Sequence, residues 1–336
     1  MSPTIRDVAK KANVGVGTVS RVLNKSPQVS ERTRKAVLAA IDELDFTPNP
    51  IAQRLSTGKT LTIGVILPNL TRSSYIERLR GVQETLAQTK YHLVLFVVDT
   101  KSDQDDFFRD IPRNSMVDGL LVISLPPSDK QAESFIRSKI PTVLIDAYHS
   151  TLGSVVVDDR GGGKMATEYL VDLNHRKIGF LGDQLKTAFH PSARYRYWGY
   201  RKTLEKYDIP QREEYHIFVE HGRLNARKAA RQFFDLENPP TAVFSSCDTL
   251  ALGLMDCVSE IGLRIPDDIS IIGFDGISEA ECEDLTTIDQ NLYLSGVVGV
   301  QMLLSSIESK PENPIKHTLP LELIDRGSTS HHSDVS

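Results

Sequence analysis

Cysteine is scarce in this chain and poorly placed for a structural role: there are three, Cys247, Cys257 and Cys282, with no CxxC pair and no histidine at zinc-ligand spacing. That pattern indicates neither a disulfide framework nor a structural zinc site, and it reads as reduced thiols. Long apolar runs are missing too. None approaches the ~18 to 20 residues of a membrane span. The N-terminal MSPTIRDVAKK has neither the apolar stretch nor the cleavage site of a secretory signal, so the expected location is the cytoplasm with no membrane partner.

Catalytic signatures are equally sparse. There is no GxSxG elbow, no HExxH and no GxGxxG, and the acid pairs Asp105-Asp106 and Asp267-Asp268 fall in segments that read as turns. Gly161-Gly162-Gly163-Lys164 invites a phosphate-loop reading. The required spacing would need glycine where Asp158 stands and Ser or Thr where Met165 stands, so it reads instead as a glycine-rich helix start behind Asp158-Asp159 caps. No enzyme, cofactor or metal is expected. His331 and His332 sit in a short polar tail expected to be disordered.

What is present is ample material for folding. The 336 residues, 40% hydrophobic and 25% charged, suit about two domains. The net charge of −5 conceals an asymmetry, because residues 1–60 hold ten Lys/Arg against five Asp/Glu, net +5, which leaves −10 for the rest. A basic head on an acidic body suits a polyanion-binding module joined to something else.

Within that head, Thr4-Ile5-Arg6-Asp7 reads as a capping box, and Ile5, Val8, Ala9 and Ala12 form an apolar stripe at helical spacing. Two glycines break the chain at residues 13–17. A second short helix follows with Val19, Val22 and Leu23 inward and Thr18, Ser20 and Arg21 outward. Ser30 caps a third, whose buried face is read as Val37, Leu38, Ile41 and Leu44. Asn49 and Pro50 are an N-cap and N1 pair for a further short helix, ended by Thr57-Gly58.

TIRDVAKKANVGVGTVSRVLN followed by VSERTRKAVLAAIDELDFTPNPIAQRL resembles, without a gap over about 55 residues, the DNA-binding head of the LacI/GalR family of bacterial transcription regulators. The resemblance implies that the second helix enters the major groove, with Val16, Gly17 and Arg21 at base-reading positions. Gly17 offers no side chain and Val16 only an apolar contact, so Arg21, which can fork onto guanine, should dominate direct readout. The family's phosphate-holding positions fall on Thr4, Thr18, Ser20, Asn24, Ser30 and Thr33; capping and turn formation would account for the same residue types. The segment at 49–60 corresponds to the family's hinge helix, with Ala52 and Leu55 at the minor groove and Leu55 as the wedge. A flexible linker is the plainer alternative.

From residue 61 apolar runs of strand length alternate with amphipathic stretches: 61–67, 92–98, 119–124, 142–146, 177–181, 241–246 and 269–274. This argues for α/β architecture with two lobes of doubly wound parallel sheet, whose ligands sit at the carboxyl ends of the strands. The resemblance continues through DGLLV at 118–122, IGFLG at 178–182, IGFDG at 272–276 and LIDRGS at 323–328. It implies a body like a periplasmic sugar-binding protein, entered by the effector between lobes and crossed three times by the chain. The organisation read from all this is a helix-turn-helix head at 1–48, a hinge at 49–60, and a two-lobed body at 61–336. Lobe 1 takes about 61–160 and 291–318, and lobe 2 about 161–290 and 319–328.

Asp275 and Asp146 each close an apolar strand at its carboxyl end, which points them into the cleft. Ser73, Ser74 and Tyr75 follow the first strand and can offer hydroxyls and a ring; for these and for Asp146 a solvated loop is the equal alternative. From the resemblance, Arg196 stands where family members place an arginine on the effector, Cys247 where several have Asn, and Gln290, just after a strand read at 285–288, near one crossing. Asp248 reads as a helix N-cap. Leu224 falls where relatives often carry an aromatic platform, so stacking is left to Tyr75, Phe189 or Trp198, and Trp198 reads as core.

The function expected is a sequence-specific transcription regulator, usually a repressor, binding double-stranded operator DNA as a homodimer under a small, sugar-like effector. The absence of leucine heptads after residue 328 favours the dimer over a tetramer. The alternatives are a solute-binding receptor and a sugar-processing enzyme on the same two-lobed fold.

Overall fold

The computed structural model describes residues 3–23, 26–46, 59–114, 116–185, 191–309 and 313–333, and the chain divides into two compact units, 1–60 and 61–336. The head contains α1 (Ile5–Lys11), α2 (Val16–Leu23) and α3 (Glu31–Glu43). Val8, Ala9, Val19, Val22, Val37, Ala40 and Phe46 make its core. Leu38 departs from the buried face read for it. It is 47% exposed, because the stripe from Val37 continues at Ala40, Ile41 and Leu44, three, four and seven residues on, and position 38 lies a sixth of a turn or more outside it.

The caps of α1 and α3 form as read, with one difference of detail. The Thr4 backbone and hydroxyl both donate to the Asp7 carboxylate, at 2.8 and 2.7 Å, and these bonds hold the Asp7 carboxyl below its ordinary range. Ser30 accepts from the Thr33 N–H at the start of α3.

The body strands are β1 (Thr62–Pro68), β2 (His92–Val98), β3 (Gly119–Ile123), β4 (Thr142–Ile145), β5 (Gly153–Val156), β6 (Ile178–Asp183), β7 (His216–Val219), β8 (Ala242–Ser245), β9 (Ser270–Asp275), β10 (Thr286–Asp289), β11 (Lys316–Thr318) and β12 (Glu322–Ile324). They build two six-stranded sheets ordered β11-β5-β4-β3-β1-β2 and β12-β10-β9-β8-β6-β7. All neighbours run parallel except β10 and β12. The seven apolar runs all become strands. β5, β7, β11 and β12 were not anticipated; at three or four residues each, they are too short to show a period.

The helices are α4 (Ser73–Ala87), α5 (Lys101–Arg113), α6 (Asp129–Ser138), α7 (Asp159–Asp172), α8 (Pro191–Lys206), α9 (Arg223–Phe234), α10 (Asp248–Glu260), α11 (Ser278–Cys282) and α12 (Leu292–Glu308). β1, β3, β4, β6, β8 and β9 are buried along their whole length, as parallel strands covered on both faces must be. In each sheet the connection order reverses where β1 meets β3 and where β6 meets β8, and the carboxyl ends there open the crevice in which such folds hold ligands.

Two earlier readings change. Asp105 and Asp106 lie inside α5, pairing with Lys101 and Arg109 rather than in a turn. The tail through His332 is packed: the His332 N–H donates to the Leu173 carbonyl, and its ring stacks on His175 at 5.3 Å. His175 is buried, with Nδ1 on Thr241 Oγ1 at 2.9 Å and Nε2 against Ser270 Oγ and the Ser330 carbonyl.

Burial, opposed by the Ser330 carbonyl and assisted by His331, His332 and Arg176, pushes the His175 pKa down to about 4. Between about 4 and the ordinary 6.5 the unfolded chain therefore binds a proton that the folded chain refuses, so stability falls as pH falls through that window. Urea melts from neutral pH to about pH 4 should show a loss that a His175→Gln chain largely escapes; equal slopes would contradict this role.

Candidate functional site

On the head, α2 begins as the chain leaves the left-handed Asn13 (φ 51°) and presents its first turn outward. Val16 is 42% exposed. A Cβ added at Gly17 would meet nothing within 4 Å, so packing does not demand glycine there. Arg21 is exposed and, four residues beyond Gly17, shares its face. Thr18, Ser20 and Thr33 are half-buried, and Thr4 and Ser30 are exposed and engaged in the caps described above. Not every basic residue is available: Lys11 pairs with Glu43 and Arg34 donates to the Ser26 carbonyl. Asn24, Ala52 and Leu55 lie outside the described residues, as does the whole short-helix reading from Asn49 and Pro50 to Thr57 and Gly58.

In the body, the expected effector residues Ser74, Tyr75, Asp146, Arg196, Cys247, Asp275 and Gln290 line one cavity together with Arg72, Arg78, Asp183, Ser192, Ala193 and Ser246. Their convergence follows from topology. Ser74 and Tyr75 open the helix after β1, and Asp146 follows β4. Asp183 ends β6, Ser246 and Cys247 follow β8, Asp275 ends β9, and Gln290 follows β10. Ser73 does not line the cavity; its hydroxyl donates to Glu279 at 3.0 Å on the second sheet's side.

Arg196 organises this site. It projects from α8, its side chain 6% exposed, and donates to Asp159 at 2.8 Å, to the Ser246 carbonyl at 2.7 Å and to Asp275 at 3.0 Å. Its guanidinium lies 3.7 Å from the Phe274 ring centre, a cation–π contact strengthened by desolvation. Burial disfavours its charge, but the carboxylates of Asp159 and Asp275 more than offset that and raise its pKa. The same burial pushes the Asp159 carboxyl up to about 6 against the pull of Arg196, and raises that of Asp275.

Helix packing sets the position of Arg196. A Cβ on Gly163 of α7 would run into the Arg196 backbone, and one on Gly199 of α8 into the Arg160 carbonyl. Glycine at both crossing positions lets α7 and α8 approach backbone to backbone.

A polar chain then spans the two sheets. Arg78 of α4 donates to Gln290 Oε1 at 2.8 Å and lies 3.4 Å from Asp146, while Gln290 Nε2 donates to Asp275 at 2.5 Å. Asp146 also accepts from Ser124. Arg72 pairs with Asp183 at 3.0 Å. These groups fill the cleft themselves and leave a cavity of about 30 Å³, room for a few waters. A small organic ligand needs a few hundred Å³, so admitting one requires the Arg72–Asp183, Ser73–Glu279 and Arg78–Gln290 contacts to separate.

Sequence reasoning missed Arg72, Arg78, Asp159 and Asp183. Asp183 had a readable signal, a carboxylate closing an apolar strand, but that strand was ended at 181. Asp248 is not the cap of its own helix. Fully buried, it accepts from the Gly276 and Ile277 N–H groups and from the Thr287 hydroxyl at 2.5 Å. Burial and the nearby Asp275 push its carboxyl up to about 7. Those bonds hold the β9 exit, where Asp275 (φ 132°) and Gly276 (φ 75°) adopt left-handed backbone, strain of the kind that clusters at binding sites.

Trp198 is 40% exposed beneath Arg160 rather than in the core, since the face of α8 that meets α7 is turned by Gly199 and not by the indole. Leu224 is 55% exposed and not among the cavity residues; the ring near that end is His221. Phe189 lies outside the described residues. No helix among the described residues is long and apolar enough to cross a membrane.

Residues 4–49 match the family model for bacterial regulatory proteins of the lacI family, and residues 167–329 that for a periplasmic binding protein-like domain. The chain is 30% identical to catabolite control protein A of Priestia megaterium over 98% of its own length and 100% of that protein's. Its fold superposes on the lac repressor dimer bound to operator and the anti-inducer ONPF with a TM-score of 0.86, at 28% identity over 98% of this chain and 100% of the other. A cellobiose complex of the transcriptional regulator CelR matches with a TM-score of 0.70, at 27% identity over 97% and 99%.

Proposed function

This chain belongs to the lacI family of bacterial regulatory proteins, and from that premise we propose that it is a repressor in the cytoplasm that binds a pseudo-palindromic operator as a homodimer and answers to a sugar or sugar derivative held in the cleft. The observation that carries this reading is one chain joining an outward-facing α2, with Val16, Gly17 and Arg21 accessible, to a body whose strand ends converge on Arg196, Asp146, Asp275 and Gln290. The head is assigned to 1–48, the hinge to 49–60 with Ala52 and Leu55 at the minor groove, and the phosphate contacts to Thr4, Thr18, Ser20, Asn24, Ser30 and Thr33. Lobe 1 holds the first sheet and lobe 2 the second.

A two-fold dimer is supported by apolar exposure on corresponding edges of both sheets. Val94 and Leu95 on edge strand β2, and Phe218 on edge strand β7, stand at least a third exposed, with Leu70, Ile76 and Leu224 on adjoining segments, and soluble monomers bury such surface. A sugar is supported by the density of carboxylate, amide and guanidinium groups in the cleft and by the cellobiose in the CelR complex. Effector entry parts the Arg72–Asp183 and Arg78–Gln290 contacts and so changes the lobe geometry that the hinge transmits.

The deciding experiment is selection of bound sequences from random double-stranded DNA by the full-length protein, with and without pooled sugars. An enriched palindrome whose recovery changes with a sugar is expected; no enrichment in any condition would remove the reading. Arg21→Ala should relax one guanine position in each half-site and cost about 1–3 kcal/mol, seen as a flattened position in the selected profile. Asp275→Asn keeps the acceptor oxygen that Arg196 and Gln290 use but removes its charge. It should weaken the effector roughly 10- to 100-fold while leaving operator affinity unchanged, as calorimetry and a gel-shift titration would measure.

A further inference from the structure

Three side chains far apart in sequence meet at the rim of the cleft: Asp183 at the end of β6, His221 in the turn after β7, and Cys247 after β8. Asp183 and Cys247 are buried and His221 is half-buried. One ligand atom from each lies within 4.8 Å of the others. His221 Nδ1 is 3.2 Å from Asp183 Oδ1 and 3.9 Å from Cys247 Sγ.

A nucleophile relay would set cysteine and aspartate on opposite ring nitrogens. Here both face Nδ1, so the three atoms converge on a common point instead of forming a chain. Around a tetrahedral zinc ion, with bonds of about 2.0 to 2.3 Å to N, O and S, ligand atoms stand roughly 3.3 to 3.6 Å apart; here the two pairs made by His221 stand at 3.2 and 3.9 Å, and all three atoms lie within 4.8 Å of one another, so side-chain adjustment of an ångström or so brings them to that spacing. The other oxygen of Asp183, Oδ2, is held by Arg72 at 3.0 Å, which orients the carboxylate and leaves Oδ1 directed at the histidine and cysteine.

We propose that Asp183, His221 and Cys247 form a binding site for a borderline divalent cation of the zinc type, with its fourth position open to the cleft. One nitrogen, one sulfur and one carboxylate oxygen favour such an ion over magnesium or calcium. Three protein ligands with an open fourth position differ from the closed four-ligand set of a structural site. Asp183 and Cys247 also line the cleft cavity, so the fourth ligand is water or an oxygen of whatever the cleft holds. On binding, the Cys247 Sγ–H proton passes to solvent and His221 exchanges its Nδ1 hydrogen for the tautomer protonated on Nε2, as the sulfur–metal and Nδ1–metal bonds form. The site does not depend on the cleft ligand being a sugar.

Cobalt(II) is the probe, added to the reduced full-length protein and followed by absorption. One equivalent per chain should give a thiolate-to-cobalt charge-transfer band with intensified tetrahedral visible bands, both displaced by zinc. Cys247→Ser should abolish the charge-transfer band. His221→Ala, at a half-buried position between β7 and α9, should weaken binding at least about tenfold. Cys257→Ser and Cys282→Ser should leave both band and affinity unchanged. No band at excess cobalt, a band that survives Cys247→Ser, or wild-type affinity in His221→Ala would each overturn the assignment.

Discussion

An Arg196→Ala chain is expected to lose effector response entirely and about 3–5 kcal/mol of stability. The arginine side chain is buried, and removing it strips the donor from two carboxylates and a carbonyl at once, Asp159, Asp275 and Ser246. Water cannot replace it cheaply in a cavity of about 30 Å³, and the Phe274 ring loses the cation stacked on it. Part of the cost is recovered by protonation, since burial already pushes the Asp159 carboxyl up to about 6. The deficit should therefore be smaller below about pH 6 than at neutral pH. Arg196→Lys keeps a charge but not the planar fork that reaches three acceptors, and should fall between. Urea midpoints read the stability and an effector-dependent gel shift reads the response. An Arg196→Ala midpoint equal to wild type would mean that the buried carboxylates do not need the guanidinium.

Gly163→Ala is expected to be nearly as damaging although it adds one methyl group. The new Cβ would strike the backbone of Arg196 itself, and backbone cannot rotate away as a side chain can. Relief requires α7 and α8 to separate, at about 1–3 kcal/mol for overpacking, and that movement carries the guanidinium away from Asp159 and Asp275. Stability and effector affinity should thus fall together. Gly153→Ala supplies the comparison, because its Cβ would meet Met302 and Val143 at 3.5 and 3.6 Å, ordinary contact. Loss of stability with unchanged effector affinity in Gly163→Ala would uncouple the helix crossing from the site.

The two effects share a cause that no local pattern reveals. Glycine at 161–163 could be read as the start of a helix, and it is one. That Gly163 meets the backbone of Arg196 across the crossing, and Gly199 the carbonyl of Arg160, emerges only when α7 lies on α8. Aspartate at the end of an apolar run was readable at 146 and 275 because a strand's exit loop faces the ligand side of such a sheet. The same logic applied to Asp183 needed two more residues of strand. Arg72 and Arg78 offered no signal, since an arginine in a loop or on a helix reads as surface until its partner is known to stand on another sheet.

Misreadings of burial have a similar origin. Leu38 and Trp198 are large apolar residues in helices, and hydrophobicity alone would place them inside. Helical phase puts Leu38 outside the stripe, and the α7–α8 crossing is made by glycines that leave the indole at the surface. His332 sits in a polar tail with no periodicity, yet it stacks on His175 because the tail crosses the amino end of the second sheet.

Properties governed by neighbours a few residues away are written in the chain directly. The three head helices, the caps of α1 and α3, the apolar runs that become strands, the parallel α/β architecture and the outward face of α2 all follow from spacing and capping chemistry, because those forces act within one turn or one strand. Properties that depend on groups from 26 to 212 residues apart arise otherwise. The Arg72–Asp183 and Arg78–Gln290 contacts, the meeting of Asp183, His221 and Cys247, and the seating of Arg196 come from strand order and backbone-close helix crossings. A side chain's charge is printed in the sequence; the partner that satisfies it once it is buried is supplied only by the packing of the whole body.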